Sequence, residues 1–167
     1  MKTQIDKLIG EFKLDEARKI LMAIDIDSVP TGERAAYAES CRRTGLFRLS
    51  LQFMYKLVYE TKSATQDDLF DYASGLRRVG LISEALRILD RRMPPSARVS
   101  LQKAFCHIQR WDYGTAAGHL LLALETHPNE NESRTARVNL AASLIVLGEH
   151  EAAAKWLAQL EPECKQH

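Results

Sequence analysis

The sequence predicts an all-α protein, a solenoid of about five antiparallel helix hairpins, and three observations carry that expectation. First, Val138 to Leu160 reads as two apolar helical runs parted at Gly148. The second run carries Ala153, Leu157 and Leu160 at spacings of four and three, the mark of a helix with one buried stripe. Glycine ends the first run because it enters the left-handed conformation without a Cβ penalty. So short a turn makes the two helices pack antiparallel. Second, a small residue followed four residues on by a large apolar one recurs as Ala17 with Leu21, Ser50 with Met54, Ala85 with Leu89, Ala116 with Leu120, and Ala153 with Leu157. The small residues are 33, 35, 31 and 37 apart, a mean of 34. Third, Ala38, Ala73, Ala104 and Ala141 each stand twelve residues before the small residue of their own second helix. A single hairpin cannot bury its faces, and a period in this range is the signature of stacked helical repeats.

Taken in order, residues 1–11 are expected as the first helix of an incomplete first unit, with Lys13 to Ile26 as its partner. Leu14, Ala17, Ile20, Leu21 and Ile24 share one face of that partner. Ser28-Val29-Pro30-Thr31-Gly32 is turn chemistry, and Glu33 to Arg43 is the next helix. Leu46 to Tyr59 carries Phe47, Leu51, Met54, Tyr55 and Val58, enough apolar surface to predict burial on more than one side. Thr65 with Asp68 three residues on predicts a capped start for Gln66 to Val79, which pairs with Ile82 to Arg92. Met93-Pro94-Pro95-Ser96 breaks the chain, since proline cannot continue a helix. Ala97 to Gln109 pairs with Asp112 to Thr126, and His127-Pro128-Asn129 leads to a fifth pair whose first helix covers 134–147. The expected repeats are 1–28, 31–62, 65–95, 96–128 and 130–163, within one domain.

These residues resemble the tetratricopeptide repeat, a 34-residue helix–turn–helix unit. The likeness rests on Leu69, Tyr72, Ala73, Leu76, Gly80, Ala85 and Leu89 in one unit. In the next it rests on Ala104, Tyr113, Ala116, Leu120, Ala123 and Pro128, and in the last on Leu140, Ala141, Leu144, Gly148, Ala153 and Leu157. Trp111 stands where the turn glycine belongs, Ser50 replaces an alanine, and Gly10 comes slightly early. The resemblance implies a right-handed superhelix.

Composition closes off other classes. Charged residues make up 27% and hydrophobic ones 46%, as in an ordinary globule, and a net charge of +1 offers no field for nucleic acid or an anionic membrane. Cys41, Cys106 and Cys164 are odd in number and without CxxC spacing, so they read as reduced cytoplasmic thiols. The first residues lack the apolar core of a signal peptide, and no run approaches a membrane span. Cys106 and His107 are adjacent on a helix and point about 100° apart, which excludes a thiol–imidazole pair. His119, His127 and His150 lack metal-ligand spacing, and the aromatics Trp111 and Tyr113 are expected to pack in the core. No enzyme, cofactor or metal is expected.

In the resembled family the first helix of each pair lines a concave groove that takes peptides or helices. The resemblance implies that Arg42, Arg43, Arg77 and Arg78 form a basic ladder in that groove, fit for acidic side chains or a terminal carboxylate. The alternative is that these cations complement their helix dipoles and stay solvated. Leu101, Phe105 and Ile108, with Val138, Ala142, Ile145 and Val146, would give an apolar wall; its alternative is closure by tight packing. The chain ends soon after the last hairpin without a polar capping helix, which points to a partner, a self-contact or truncation. The expected function is a non-enzymatic adaptor or chaperone binding a peptide, an amphipathic helix or an acidic segment. Self-assembly as a homodimer through the uncapped end is the alternative. RNA binding is a third reading, which near-neutral charge opposes.

Overall fold

A computed structural model describes residues 1–160 of the chain. Those residues are all-α, with no strand among them. The chain divides into two compact units, Met1–Ile88 and Leu89–His167, with the boundary inside a helix.

The first unit holds α1 (Lys2–Gly10), α2 (Leu14–Met22), α3 (Arg34–Arg43), α4 (Phe47–Glu60), α5 (Gln66–Arg78) and most of α6 (Ile82–Arg91). The second holds the end of α6, then α7 (Ala97–Gln109), α8 (Tyr113–Glu125), α9 (Glu130–Val146) and α10 (His150–Ala158).

One hydrogen-bond pattern builds all five hairpin turns. The backbone N–H of Lys13, Leu46, Leu81, Asp112 and Glu149 donates to the carbonyl of Leu8, Cys41, Leu76, His107 and Leu144 respectively, at 2.8 to 3.0 Å. These are the long-range bonds of a Schellman close, which needs one left-handed residue beside it. Gly45, Gly80 and Gly148 supply it with φ of 81°, 86° and 82°. Phe12 and Trp111 hold the same place with φ of 58° and 62°. Four residues past each N–H donor, Ala17, Ser50, Ala85, Ala116 and Ala153 donate to the donor's own carbonyl and open the second helix.

Both sets of small residues are buried, as their spacing requires. Ala17, Ser50, Ala85, Ala116 and Ala153 lie in the core, and so do Ala38, Ala73, Ala104 and Ala141. Leu21, Met54, Leu89 and Leu120 fill the space beside them; Leu157 remains 43% exposed, with no described element after α10 to cover it. In the first unit Tyr37 stacks on Phe53 with ring centroids 5.7 Å apart. In the second, Leu101, Ala104, Ala117, Leu120, Ala123, Ala136 and Leu140 form one cluster, with Phe105, Leu144 and Trp156 against it.

Two element boundaries differ from expectation. The helix α2 stops at Met22, because Asp25 turns the chain by accepting the Asp27 N–H at 3.1 Å, and short 3-10 turns follow at Ile26–Ser28 and Thr31–Glu33. The helix α9 starts at Glu130, earlier than its apolar pattern, because Asn129 and Glu132 form a reciprocal capping box. The expected Thr65–Asp68 cap is a full capping box, the Thr65 N–H donating to the Asp68 carboxylate at 2.8 Å.

Candidate functional site

The four arginines of the expected ladder have different surroundings. Arg42 is ion-paired with Glu39 on its own helix and with Asp71 of α5 at 2.9 Å, so its charge is spent within the first unit. Arg78 lies over the Phe47 ring, 6.0 Å from its centroid. Arg77 is half-buried and partnered, and Arg43 at the end of α3 is exposed, as Arg78 is at the end of α5.

In the second unit α7 and α9 lie side by side. Val138, Ala142, Ile145 and Val146, at spacings of four, three and one, form a stripe on α9 that stays exposed; Val138 is 44%, Ile145 48% and Val146 59% accessible. Ala136, Leu140, Ala141 and Ser143 occupy the opposite, buried face. Phe105 and Ile108 on α7 are half-buried. Leu101 does not line the wall. It sits in the core with Ala136 and Leu140, where the small Ala136 side chain lets α9 approach closely enough to cover it.

A third feature lies in the first unit and was missed in the sequence. An open cleft of about 720 Å³ is lined by Met22, Ile24, Leu49, Leu51, Tyr55, Tyr72 and Leu81, among others. It abuts a second cleft of about 620 Å³, sharing Met22, Leu49 and Gln52 with it. The apolar α4 led to an expectation of burial on several sides; in fact Tyr55 and Tyr59 are half-exposed, with rings 5.0 Å apart. The available signal was that Arg48, Gln52, Tyr55 and Tyr59 follow helical spacing on the side opposite Phe53, Met54 and Leu57. Tyr72 meets Tyr59 edge-on at 5.9 Å, and burial pushes its hydroxyl up to about 12.

No protein-family model matches the sequence, and no curated protein matches it. Solved structures do. Residues 41 to the end of MamA from Desulfovibrio magneticus RS-1 superpose with a TM-score of 0.74 at 11% identity, covering 99% of this chain and 93% of that one. MamA AMB-1 gives 0.70 at 14% identity over 99% and 98%. Another MamA crystal structure gives 0.70 at 16% over 97% and 95%. The fold is TPR-like. At these identities the likeness carries the fold and nothing of the activity.

The remaining chemistry is structural. Cys41 is fully buried and its thiol is pushed up to about 12 by that burial, the opposite of an activated nucleophile. Cys106 is equally buried, and Cys164 lies outside the described residues. His107 Nδ1 is 3.0 Å from Asp112 and its ring stacks on His119 at 5.3 Å, with no third ligand to make a metal site among the described residues. Trp111, expected in the core, is 80% exposed, because its left-handed turn position points it outward. No described helix is long and apolar enough to cross a membrane.

Proposed function

We propose that the chain is a non-enzymatic protein-interaction module, an adaptor or chaperone of the cytoplasm, that holds an amphipathic helix or extended peptide against the wall formed by α7 and α9. One observation carries this reading: the exposed stripe Val138, Ala142, Ile145 and Val146 runs along a helix whose other face is fully engaged in the core. Contiguous apolar surface of this kind costs solubility unless something covers it, and helical anchors at matching spacing are the natural cover. The reading adds Phe105 and Ile108, half-buried on the neighbouring α7, to the same wall. Of the ladder, Arg42 is neutralised by Glu39 and Asp71, while Arg43 and Arg78 stay exposed within the first unit.

The test uses Ile145→Asp with Val146→Asp, since both positions are exposed and the change spares the core. Peptides selected from a displayed library on the intact chain are expected to carry apolar residues at helical spacing and to lose binding to this variant while its circular dichroism stays unchanged. Binding that persists in the variant rejects the wall. A second reading, self-assembly, draws on Leu157, which is exposed near the end of the described residues. Sedimentation showing a monomer at high concentration rules it out.

A further inference from the structure

We propose that the first unit carries a second docking site, separate from the α9 stripe and centred on the exposed side of α4. It takes an amphipathic helix of about three turns lying antiparallel to α4, basic in its first turn and acidic in its last.

The site is built rather than incidental. Met22, Tyr55 and Leu81 are 61%, 50% and 46% exposed, and they line one open cleft rather than being scattered over the surface. Tyr72, only 7% exposed, also lines that cleft, and its hydroxyl has no hydrogen-bond partner among the described residues. Among the described residues no fully enclosed polar side-chain atom is unsatisfied, so this hydroxyl keeps some access to solvent, and Tyr72 lines the cleft. An occupant supplying an acceptor would satisfy it. Aromatic side chains with a polar tip are the residues that dominate binding hot spots.

Charge gives the occupant its direction. At one end the cleft is bordered by Asp25, Asp27 and Glu60. Lys56 is bound to Asp27 and stands 3.6 Å from Glu60, and Arg34 acts on Asp27 from the interior, so two cations face three carboxylates and the end is net acidic. At the other end Arg48 lines the adjoining cleft, Arg78 lies over Phe47, and no carboxylate joins that lining. Arg48 and Glu60 are twelve residues apart on α4, about 18 Å, which sets the length of a three-turn occupant. The dipole of α4 adds positive potential at Phe47 and negative potential at Glu60. A docked helix therefore settles with its own negative C-terminus at the arginines. Free in solution its end charges oppose its dipole, so it is weakly helical and orders on docking.

The experiment uses the full chain and two fluorescein-labelled peptides of about three turns. One has Lys and Arg in its first turn, Leu and Phe at helical spacing, and Asp and Glu in its last turn; the other has the charge blocks exchanged. The first is expected to bind and gain helicity, and the exchanged peptide to bind about tenfold more weakly. Tyr55→Asp, at a half-exposed position, is expected to abolish binding with helicity of the chain intact, and Arg48→Glu to narrow or invert the preference. The Ile145→Asp/Val146→Asp variant is expected to bind as the parent does, which separates this site from the α9 stripe. Equal binding of both peptides, binding by neither, or binding retained by Tyr55→Asp overturns the proposal. So does a dimer that Tyr55→Asp returns to monomer, since the occupant is then a second copy.

Discussion

The five turns make a matched pair of substitutions possible. At Gly148 and Gly80 an added Cβ meets nothing within 4 Å, so alanine there introduces backbone strain and no clash. Holding an L-residue left-handed costs about 1–2 kcal/mol, while removing glycine's freedom from the unfolded chain returns about 0.4–1 kcal/mol. Gly148→Ala should therefore destabilise by about 1 kcal/mol. Trp111 already bears that strain at φ 62°. Trp111→Gly relieves it, gives back the same unfolded-state term, and loses the edge contact with Tyr113 at 6.3 Å, which is worth about 0.5 kcal/mol. The net change lies between a loss of about 0.5 and a gain of about 1 kcal/mol in stability. Phe12→Gly, at a side chain 88% exposed, should behave alike. Urea unfolding followed by helicity reads these as shifts in midpoint at constant slope. A loss above about 1 kcal/mol for Trp111→Gly would mean that the indole holds the fold through contacts its exposure denies. A neutral Gly148→Ala would mean that the turn does not impose the left-handed geometry.

Two further predictions concern caps and protons. Thr65→Ala and Asn129→Ala each remove a capping box and should cost about 1 kcal/mol in urea unfolding, with the helix cores unchanged. His119 has its pKa lowered, by burial first and then by His107 and Lys103. Its unfolded value lies near 6.5, so the unfolded chain binds the proton more readily; stability is complete above about 6.5 and falls as pH drops below it toward the depressed folded value. His119→Gln should flatten that decline, and unchanged acid sensitivity between the two proteins would show that this ring does not control it.

How much of this was legible follows from what each residue is asked to do. Ala17, Ala38, Ala104 and Ala116 were readable because a helix crossing tolerates only a small side chain there, and all four are buried. The turn residue was less readable. Its strain is about 1–2 kcal/mol, small enough for Phe12 and Trp111 to occupy it, so the repeat persists in backbone bonds where the glycine has gone. The α9 stripe could be read from spacing, but Leu101 could not be told from its wall neighbours, because Ala136 on another helix decides its burial. Tyr55 and Tyr59 look like core residues by type, and only the helix register separates them from Phe53 and Met54.

The two candidate surfaces depend on different forces, and salt separates them. Apolar burial dominates the α9 stripe, where Val138, Ala142, Ile145 and Val146 carry no charge. Raising ionic strength from 0.1 to 1 M shortens the screening length from about 10 to about 3 Å, which leaves apolar burial intact. Affinity at α9 should hold constant or rise. At α4 the charges that fix orientation are solvent-facing: Arg48, Asp25 and Glu60 are exposed. Screening there should erase the preference for one peptide polarity while the anchors at Tyr55 and Met22 keep some affinity. Peptide titrations at both ionic strengths measure the two responses on the same chain. A strong salt dependence at α9 would mean that charge contributes more there than the stripe does. A polarity preference at α4 that survives 1 M salt would mean that shape, and not charge, sets the direction of the docked helix.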